Sequence, residues 1–121
     1  MSLPAVAFRA ESFGKSLSNF AVTQARSRGP GLDHNKVTPD QIDWLVPHQA
    51  NVRILESVAD HFKFPKERVV IELQETGNTS AASIPVAFDI ARNKGNIKRG
   101  QLILLAAFGA GLTSGSVLLR Y

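Results

Sequence analysis

The chain has 121 residues, a length that suits one folding domain with one hydrophobic core. Hydrophobic residues make up 44% of it and charged residues 20%, as in ordinary globular proteins. The absence of cysteine excludes disulfides, thiolate metal sites and a cysteine nucleophile within this chain. The net charge of +4 comes from scattered basic residues, typical of a solvated surface, and no basic stripe indicates nucleic-acid binding.

Two further classes of protein receive no support from the sequence. No window approaches the roughly 18 apolar residues needed to span a bilayer, and the start Met1-Ser2-Leu3-Pro4 lacks the basic-then-apolar layout of a secretory signal. We therefore expect a cytoplasmic protein without a membrane partner. Histidines at metal-ligand spacing are also missing, so no metal site is expected.

The first 36 residues carry the weakest pattern. Phe13, Leu17 and Phe20 fall at helical spacing and predict a helix over about residues 10–27. The residues Thr38-Pro39-Asp40-Gln41 then have the pattern of a helix start, with room for only one turn. A strand over 42–46 that is apolar on both faces follows. Strands of that kind lie inside sheets that helices cover on both sides.

The remaining elements alternate between helices and strands. The patterns predict a helix at 50–62, a short buried strand at 69–71, a helix at 79–92 that contains Pro85, and strands at 101–108 and 113–119 joined by a glycine-rich bend. We expect the last two strands to be antiparallel. The order α, β, α, β, α, β, β predicts a layered α/β domain with a mixed sheet covered by helices on both faces.

Polar residues follow two of the predicted elements at places where α/β proteins bind ligands. His48 comes directly after the strand that ends at Pro47, and Asn78 precedes the helix at 79–92. Taken singly, a histidine there is more often a structural hydrogen-bonder, and an asparagine a helix cap. Together they can donate hydrogen bonds to an oxygen that becomes negative in a transition state.

The glycine-rich bend does not indicate a dinucleotide site. Gly109, Gly111 and Gly115 have the spacing G-x-G-x-x-x-G, and a strand follows them where a helix should begin. Their functional role would be to bring bare backbone close to a substrate, and their structural role a tight bend.

Three motifs together resemble a known family. V-P-H-Q-A-N-V-R-I (46–54), G-N-T-S-A-A-S-I-P (77–85) and A-F-G-A-G-L-T-S-G-S (107–116) are similar to the C-terminal half of β-ketoacyl-[acyl-carrier-protein] synthase III. The resemblance runs from about Thr38 to Tyr121. It divides the chain into a poorly matched segment, 1–36, and a condensing-enzyme domain, 37–121.

The resemblance implies one half of a thiolase-like fold and an acyltransferase of type II fatty acid synthesis. Such enzymes condense an acyl-CoA starter with malonyl-acyl carrier protein, using thioester substrates and no cofactor. His48 and Asn78 match the family's catalytic histidine and asparagine, and the catalytic cysteine belongs to the N-terminal half. Asn78 also distinguishes the chain from thiolases and from synthases of types I and II, which carry a histidine in that role.

Further roles are implied for residues near the motifs. Ala50 and Asn51 match residues that line the channel for the pantetheine arm. Arg53 matches a basic residue that docks acyl carrier protein. Phe108, Gly109 and Gly111 match residues beside the catalytic histidine and the acyl pocket.

The partners implied are acyl carrier protein, acyl-CoA and the missing N-terminal half. Since the face that packs on that half would be exposed, we expect a homo-oligomer. Alternatives are a non-catalytic half-domain, a split-enzyme subunit that binds carrier protein or CoA, and a related polyketide or quinolone-type synthase.

Overall fold

A computed structural model describes residues 10–12, 37–61, 63–109 and 113–121. Its centre is a four-stranded sheet in the order β1-β4-β3-β2, in which β2 and β3 are parallel and the other two pairs are antiparallel. The sheet is therefore mixed, as predicted. Its strands are β1 (Ala10–Ser12), β2 (Trp44–Pro47), β3 (Leu102–Gly109) and β4 (Thr113–Arg120).

Three α-helices accompany the sheet in the described part of the chain: α1 (Val52–His61), α2 (Leu73–Thr76) and α3 (Ser83–Asn93). Single 3₁₀ turns occupy Pro39–Gln41, Lys66–Arg68 and Ser80–Ala82. Pro85 is the third residue of α3, an early-turn position where its missing N–H breaks no helical hydrogen bond. None of the helices in these ranges is long and apolar enough to cross a membrane.

Apolar side chains of the sheet alternate between two buried clusters, one under each helix layer. On β2, Leu45 joins the cluster that contains Ala59 of α1, and Val46 joins the one that contains Ala87 of α3. Successive residues of a strand point to opposite faces, so a strand that is apolar throughout needs cover on both sides. This confirms the prediction made from the apolar run before His48.

Asp43 forms two hydrogen bonds with Leu102 at the amino end of the parallel pair β2–β3. Its backbone N–H donates to the Leu102 carbonyl at 2.8 Å, and its carboxylate accepts the Leu102 N–H at 2.7 Å. The register then runs from Trp44 opposite Ile103 to Pro47 opposite Ala106. Both strands therefore end together at one edge of the sheet.

Two sequence predictions are wrong in the described residues. Ala10–Ser12 form a strand paired with residues 113–115 of β4, where a helix over 10–27 was predicted; the rest of that helix lies outside the described residues. An available sheet edge outweighs a helical pattern diluted by serine and glycine.

The predicted strand at 69–71 is reduced to one bridge between Val69 and Leu45. Val70 donates its N–H to the Leu45 carbonyl, and the next rung of the ladder would use the N–H of Pro47. Proline has none, so the ladder stops there.

Candidate active site

His48 lies at the carboxyl end of the parallel pair. Its backbone N–H donates to the Ala106 carbonyl at 2.7 Å, which continues the β2–β3 ladder one residue past Pro47. The side chain is half-buried. The predicted position of His48, outside the carboxyl end of a buried strand, is thus what the structure shows.

The imidazole ring of His48 contacts the side chain of Ser83. Its Oγ lies 2.6 Å from His48 Nδ1 and accepts the backbone N–H of Gln49 at 3.2 Å. Ser83 is the first residue of α3 and is only 1% exposed. A buried hydroxyl on the first helical turn therefore connects α3 to the end of β2.

Gln49 is completely buried and fills the gap that Pro47 leaves in the ladder. Its Nε2 donates to the carbonyls of Pro47 at 2.8 Å and Val70 at 3.0 Å, and its Oε1 accepts the N–H of Glu72 at 2.8 Å. One amide side chain thus satisfies three buried backbone groups, which would each be costly to leave unpaired.

Glu72 extends this network to the far end of α3. Its carboxylate is almost fully buried and accepts two hydrogen bonds from Lys94 Nζ, at 3.0 and 2.7 Å. Lys94 is the residue that follows α3, where a cation also interacts favourably with the helix dipole. The segment between Val70 and Asn78 is therefore anchored at both Gln49 and Lys94.

Asn78 is exposed and precedes Ser83 by five residues. Its Oδ1 accepts the backbone N–H of Ser80 at 3.0 Å, and the 3₁₀ turn Ser80–Ala82 then leads directly to Ser83. The structure therefore brings the segment of Asn78 to His48 through Ser83. Gly77, with φ of 65°, makes the sharp bend before Asn78 in a conformation that L-residues rarely adopt.

The residues after His48 begin α1. Asn51 Oδ1 accepts the N–H of Arg53 at 2.9 Å, and the Asn51 carbonyl accepts the N–H groups of Ile54 and Leu55, so Asn51 caps the helix. Arg53 is exposed, and Ala50 is half-buried between the histidine corner and the cap.

Phe108 and Gly109 are the last two residues of β3, paired in register with Ser114 and Thr113 of β4. They follow Ala106, the partner of Pro47, and so lie at the same end of the sheet as His48. Gly111 lies outside the described residues.

Burial affects the protonation of the candidate histidine. Desolvation lowers the pKa of His48 below its ordinary value of 6.5, because a charged imidazolium loses more hydration energy than the neutral ring. The ring is therefore neutral at neutral pH, with one nitrogen as donor and the other as acceptor.

Sequence reasoning missed two residues that position the site, Ser83 and Gln49. Both residues lie inside the motifs 77–85 and 46–54, but neither receives a role from the sequence pattern or the resemblance. A signal did exist for Gln49, because a glutamine next to a strand-ending proline can replace the N–H that proline lacks.

Comparison with known proteins agrees with these motifs. The family model described as 3-Oxoacyl-[acyl-carrier-protein (ACP)] synthase III C terminal matches residues 32–121. The β-ketoacyl-[acyl-carrier-protein] synthase III of Methylococcus capsulatus is 54% identical over 90 residues, which are 74% of this chain and 28% of the relative. That of Alkalilimnicola ehrlichii is 52% identical over 99 residues, 82% of this chain and 31% of the relative.

Solved structures show the same relationship in three dimensions. The 3-oxoacyl-[acyl-carrier-protein] synthase III of Aquifex aeolicus aligns with a TM-score of 0.85 and 38% identity, covering 95% of this chain and 44% of that one. The enzyme of Pseudomonas aeruginosa aligns with the same TM-score at 39% identity, covering 95% and 43%. This chain belongs to the 3-oxoacyl-[acyl-carrier-protein] synthase III family, and its sheet is half of the thiolase-like fold. It spans about a third of the length of the curated relatives it matches, and the predicted resemblance to the family's C-terminal half is confirmed.

The buried amide of Gln49 generates a prediction about stability. Gln49→Met keeps the volume of the side chain but leaves two carbonyls and one N–H without partners, so we expect the free energy of unfolding to fall by about 2–5 kcal/mol. Urea unfolding followed by circular dichroism measures it. Gln74→Met, at an exposed position of α2, is the matched control and should change stability by less than about 0.5 kcal/mol. Equal effects in the two variants would contradict the role given to Gln49.

The lowered pKa of His48 generates a second prediction. The unfolded chain takes up the proton near pH 6.5 and the folded chain only at lower pH, so protonation favours unfolding as the pH falls below about 6.5. An NMR titration of the ring should give a midpoint below 6.5. Urea unfolding should show wild type losing stability relative to His48→Gln as the pH is lowered below about 6.5. A midpoint at or above 6.5 would refute the assignment.

Proposed function

We propose that this chain supplies the His–Asn half of the active site of a β-ketoacyl-[acyl-carrier-protein] synthase III. The reaction is the decarboxylative condensation of an acyl-CoA starter with malonyl-acyl carrier protein in type II fatty acid synthesis. The observation that carries the proposal is the contact between Ser83 and His48, which brings the Asn78 segment to the carboxyl end of β2. Membership in the synthase III family supports the choice of reaction.

The chemistry requires donors at a developing oxyanion. As the bond between the malonyl α-carbon and its carboxylate breaks, CO₂ leaves and the electron pair is shared with the thioester oxygen. The acyl group has by then moved from CoA to the cysteine of the other half, with release of CoA. The α-carbon attacks the carbonyl of this acyl-cysteine thioester, a C–C bond forms, the C–S bond breaks and the cysteine thiolate departs. His48 and Asn78 donate hydrogen bonds to the malonyl thioester oxygen while it is negative.

Each donor fits this role electrostatically. A neutral His48 and the Asn78 amide both supply N–H groups without a full charge, so neither binds the free malonyl carboxylate as an ion pair. Because Asn78 Oδ1 already accepts the Ser80 N–H, its Nδ2 is the end of the amide left to donate.

The acyl-transfer step needs a thiol that this chain does not contain. We therefore propose that the nucleophile comes from a second α/β half, in another segment or another chain, which packs against this one. The same lack of cysteine favours a second candidate function, a half-domain that binds carrier protein or CoA without catalysis.

Substrate contacts are proposed for the neighbouring residues. Ala50 and Asn51 would line the path of the pantetheine arm where α1 begins. The acyl pocket would be lined, at and after the end of β3, by Phe108, Gly109 and Gly111. Residues 37–121 would form this condensing half, without a resident cofactor, in a cytoplasmic homo-oligomer.

A chimera tests the proposal directly. Residues 32–121 of this chain replace the matching residues of the Methylococcus capsulatus synthase, which supplies the cysteine-bearing half. We expect condensing activity with acyl-CoA and malonyl-acyl carrier protein. His48→Ala or Asn78→Ala should each lower kcat by about two to three orders of magnitude, because each removes one oxyanion donor.

Controls separate the two candidate functions. Asn93→Ala, an exposed residue at the far end of α3, should leave kcat unchanged. A folded chimera that binds malonyl-acyl carrier protein but does not condense it would overturn the catalytic proposal in favour of the binding half-domain.

Arg53 is proposed to dock the acidic carrier protein. It is exposed on the first turn of α1, close in sequence to the proposed pantetheine path, and the chain carries a net charge of +4. Electrostatic complementarity at such a rim position affects association more than the chemical step.

Charge reversal in the chimera tests this role. Arg53→Glu should raise KM for malonyl-acyl carrier protein by about fivefold or more and leave KM for acyl-CoA unchanged. Arg68→Glu makes the same change of charge at an exposed residue after α1 and serves as the control. If both variants raise KM equally, the effect is one of net charge and Arg53 has no specific docking role.

A further inference from the structure

Ser83 contacts the candidate histidine, yet neither the motifs nor the family comparison assigns it a role. Its Oγ lies 2.6 Å from His48 Nδ1, and it is 1% exposed on the first turn of α3. A short contact to a buried hydroxyl restricts both the rotation of the ring and the distribution of its proton. The consequence depends on which atom of the pair holds the hydrogen.

The second hydrogen bond of Ser83 decides this question. A backbone N–H can only donate, so Ser83 Oγ accepts from Gln49 N at 3.2 Å and has one proton of its own to place. Among the described residues the contacts recorded for this hydroxyl are Gln49 N and His48 Nδ1. If Nδ1–H also donated to Ser83, the buried hydroxyl proton would be left without an acceptor, which is unfavourable.

We propose that Ser83 donates its hydroxyl proton to His48 Nδ1 and thereby holds the ring in the tautomer that carries its hydrogen on Nε2. Ser83 is then a positioning residue that acts through His48. The inference rests on the proposed function for its catalytic meaning, because the Nε2–H is the donor that the thioester oxygen would meet. The tautomer itself is a property of this chain and is measurable without any reaction.

Gln49 makes this arrangement rigid. Its backbone N–H fixes the acceptor side of Ser83, while its side chain is held by Pro47, Val70 and Glu72. Gln49, one partner of the hydroxyl, therefore cannot move without breaking buried hydrogen bonds. The direction of the Ser83 O–H bond is determined by the backbone at the end of β2.

The tautomer is read from the NMR spectrum of the complete 121-residue chain labelled with ¹⁵N. Long-range ¹⁵N–¹H correlations of the imidazole differ between the two tautomers, and His48→Gln assigns the signals. We expect wild type to show the Nε2–H form alone, and Ser83→Ala to show a mixture with the Nδ1–H form. Ser83→Thr, which keeps the hydroxyl, should restore the single form, and Ser57→Ala, at an exposed position of α1, should leave it unchanged.

Kinetics in the chimera provide a second readout. Ser83→Ala should lower kcat on the order of tenfold, less than the loss of the whole donor, and leave KM for malonyl-acyl carrier protein within about twofold. Ser83→Thr should recover most of the kcat. If the role of Ser83 were purely structural, Ser83→Ala would change stability but leave the tautomer unchanged, and it would not lower kcat while KM stayed constant.

The outcomes distinguish this inference from the proposed function. An Nδ1–H form in wild type, or an unchanged tautomer in Ser83→Ala, would overturn the role of Ser83 whatever the activity. An inactive wild-type chimera with the Nε2–H form intact would overturn the condensation and leave the tautomer assignment standing.

Discussion

The carboxyl end of β2 has a missing hydrogen bond, because Pro47 cannot donate to the neighbouring segment. The buried amide of Gln49 replaces that donor. Its Nε2 donates to the Val70 carbonyl, for which Pro47 has no N–H, and its Oε1 accepts the N–H of Glu72. His48 lies between Pro47 and Gln49, and its own N–H is bound to Ala106. The backbone around the candidate histidine is thus held by hydrogen bonds that compensate for the proline, while Ser83 contacts the ring itself.

The fold class and most elements were readable from the sequence because they depend on apolar periodicity. Strands such as β3 are apolar on both faces, and the pattern of α1 requires one buried stripe. The strand predicted at 69–71 failed for a nonlocal reason, since its pairing depended on whether residue 47 could donate. The strand at Ala10–Ser12 failed because its partner, β4, lies about a hundred residues away in the sequence.

For the site, sequence reasoning identified residues by chemical type, and the structure adds the residues that position them. His48 and Asn78 are recognisable because they occur together in motifs that resemble those of the family, whereas each alone also has a common structural role. Ser83 is not, because a serine among alanines looks like a packing residue until the fold places it beside Nδ1. Positioning residues of this kind act through distance, and sequence spacing carries little information about distance between elements 35 residues apart.

The ion pair between Glu72 and Lys94 lies at the carboxyl end of α3. It joins the end of that helix to the segment that precedes Asn78, while Ser83 joins the beginning of the same helix to His48. The hydrogen bonds described for the His48 ring and backbone are therefore made within this chain, before any second half arrives. If the proposed function holds, assembly with a cysteine-bearing partner would be a docking of two finished surfaces, and the proposed oxyanion donors would need no refolding when the complete active site forms.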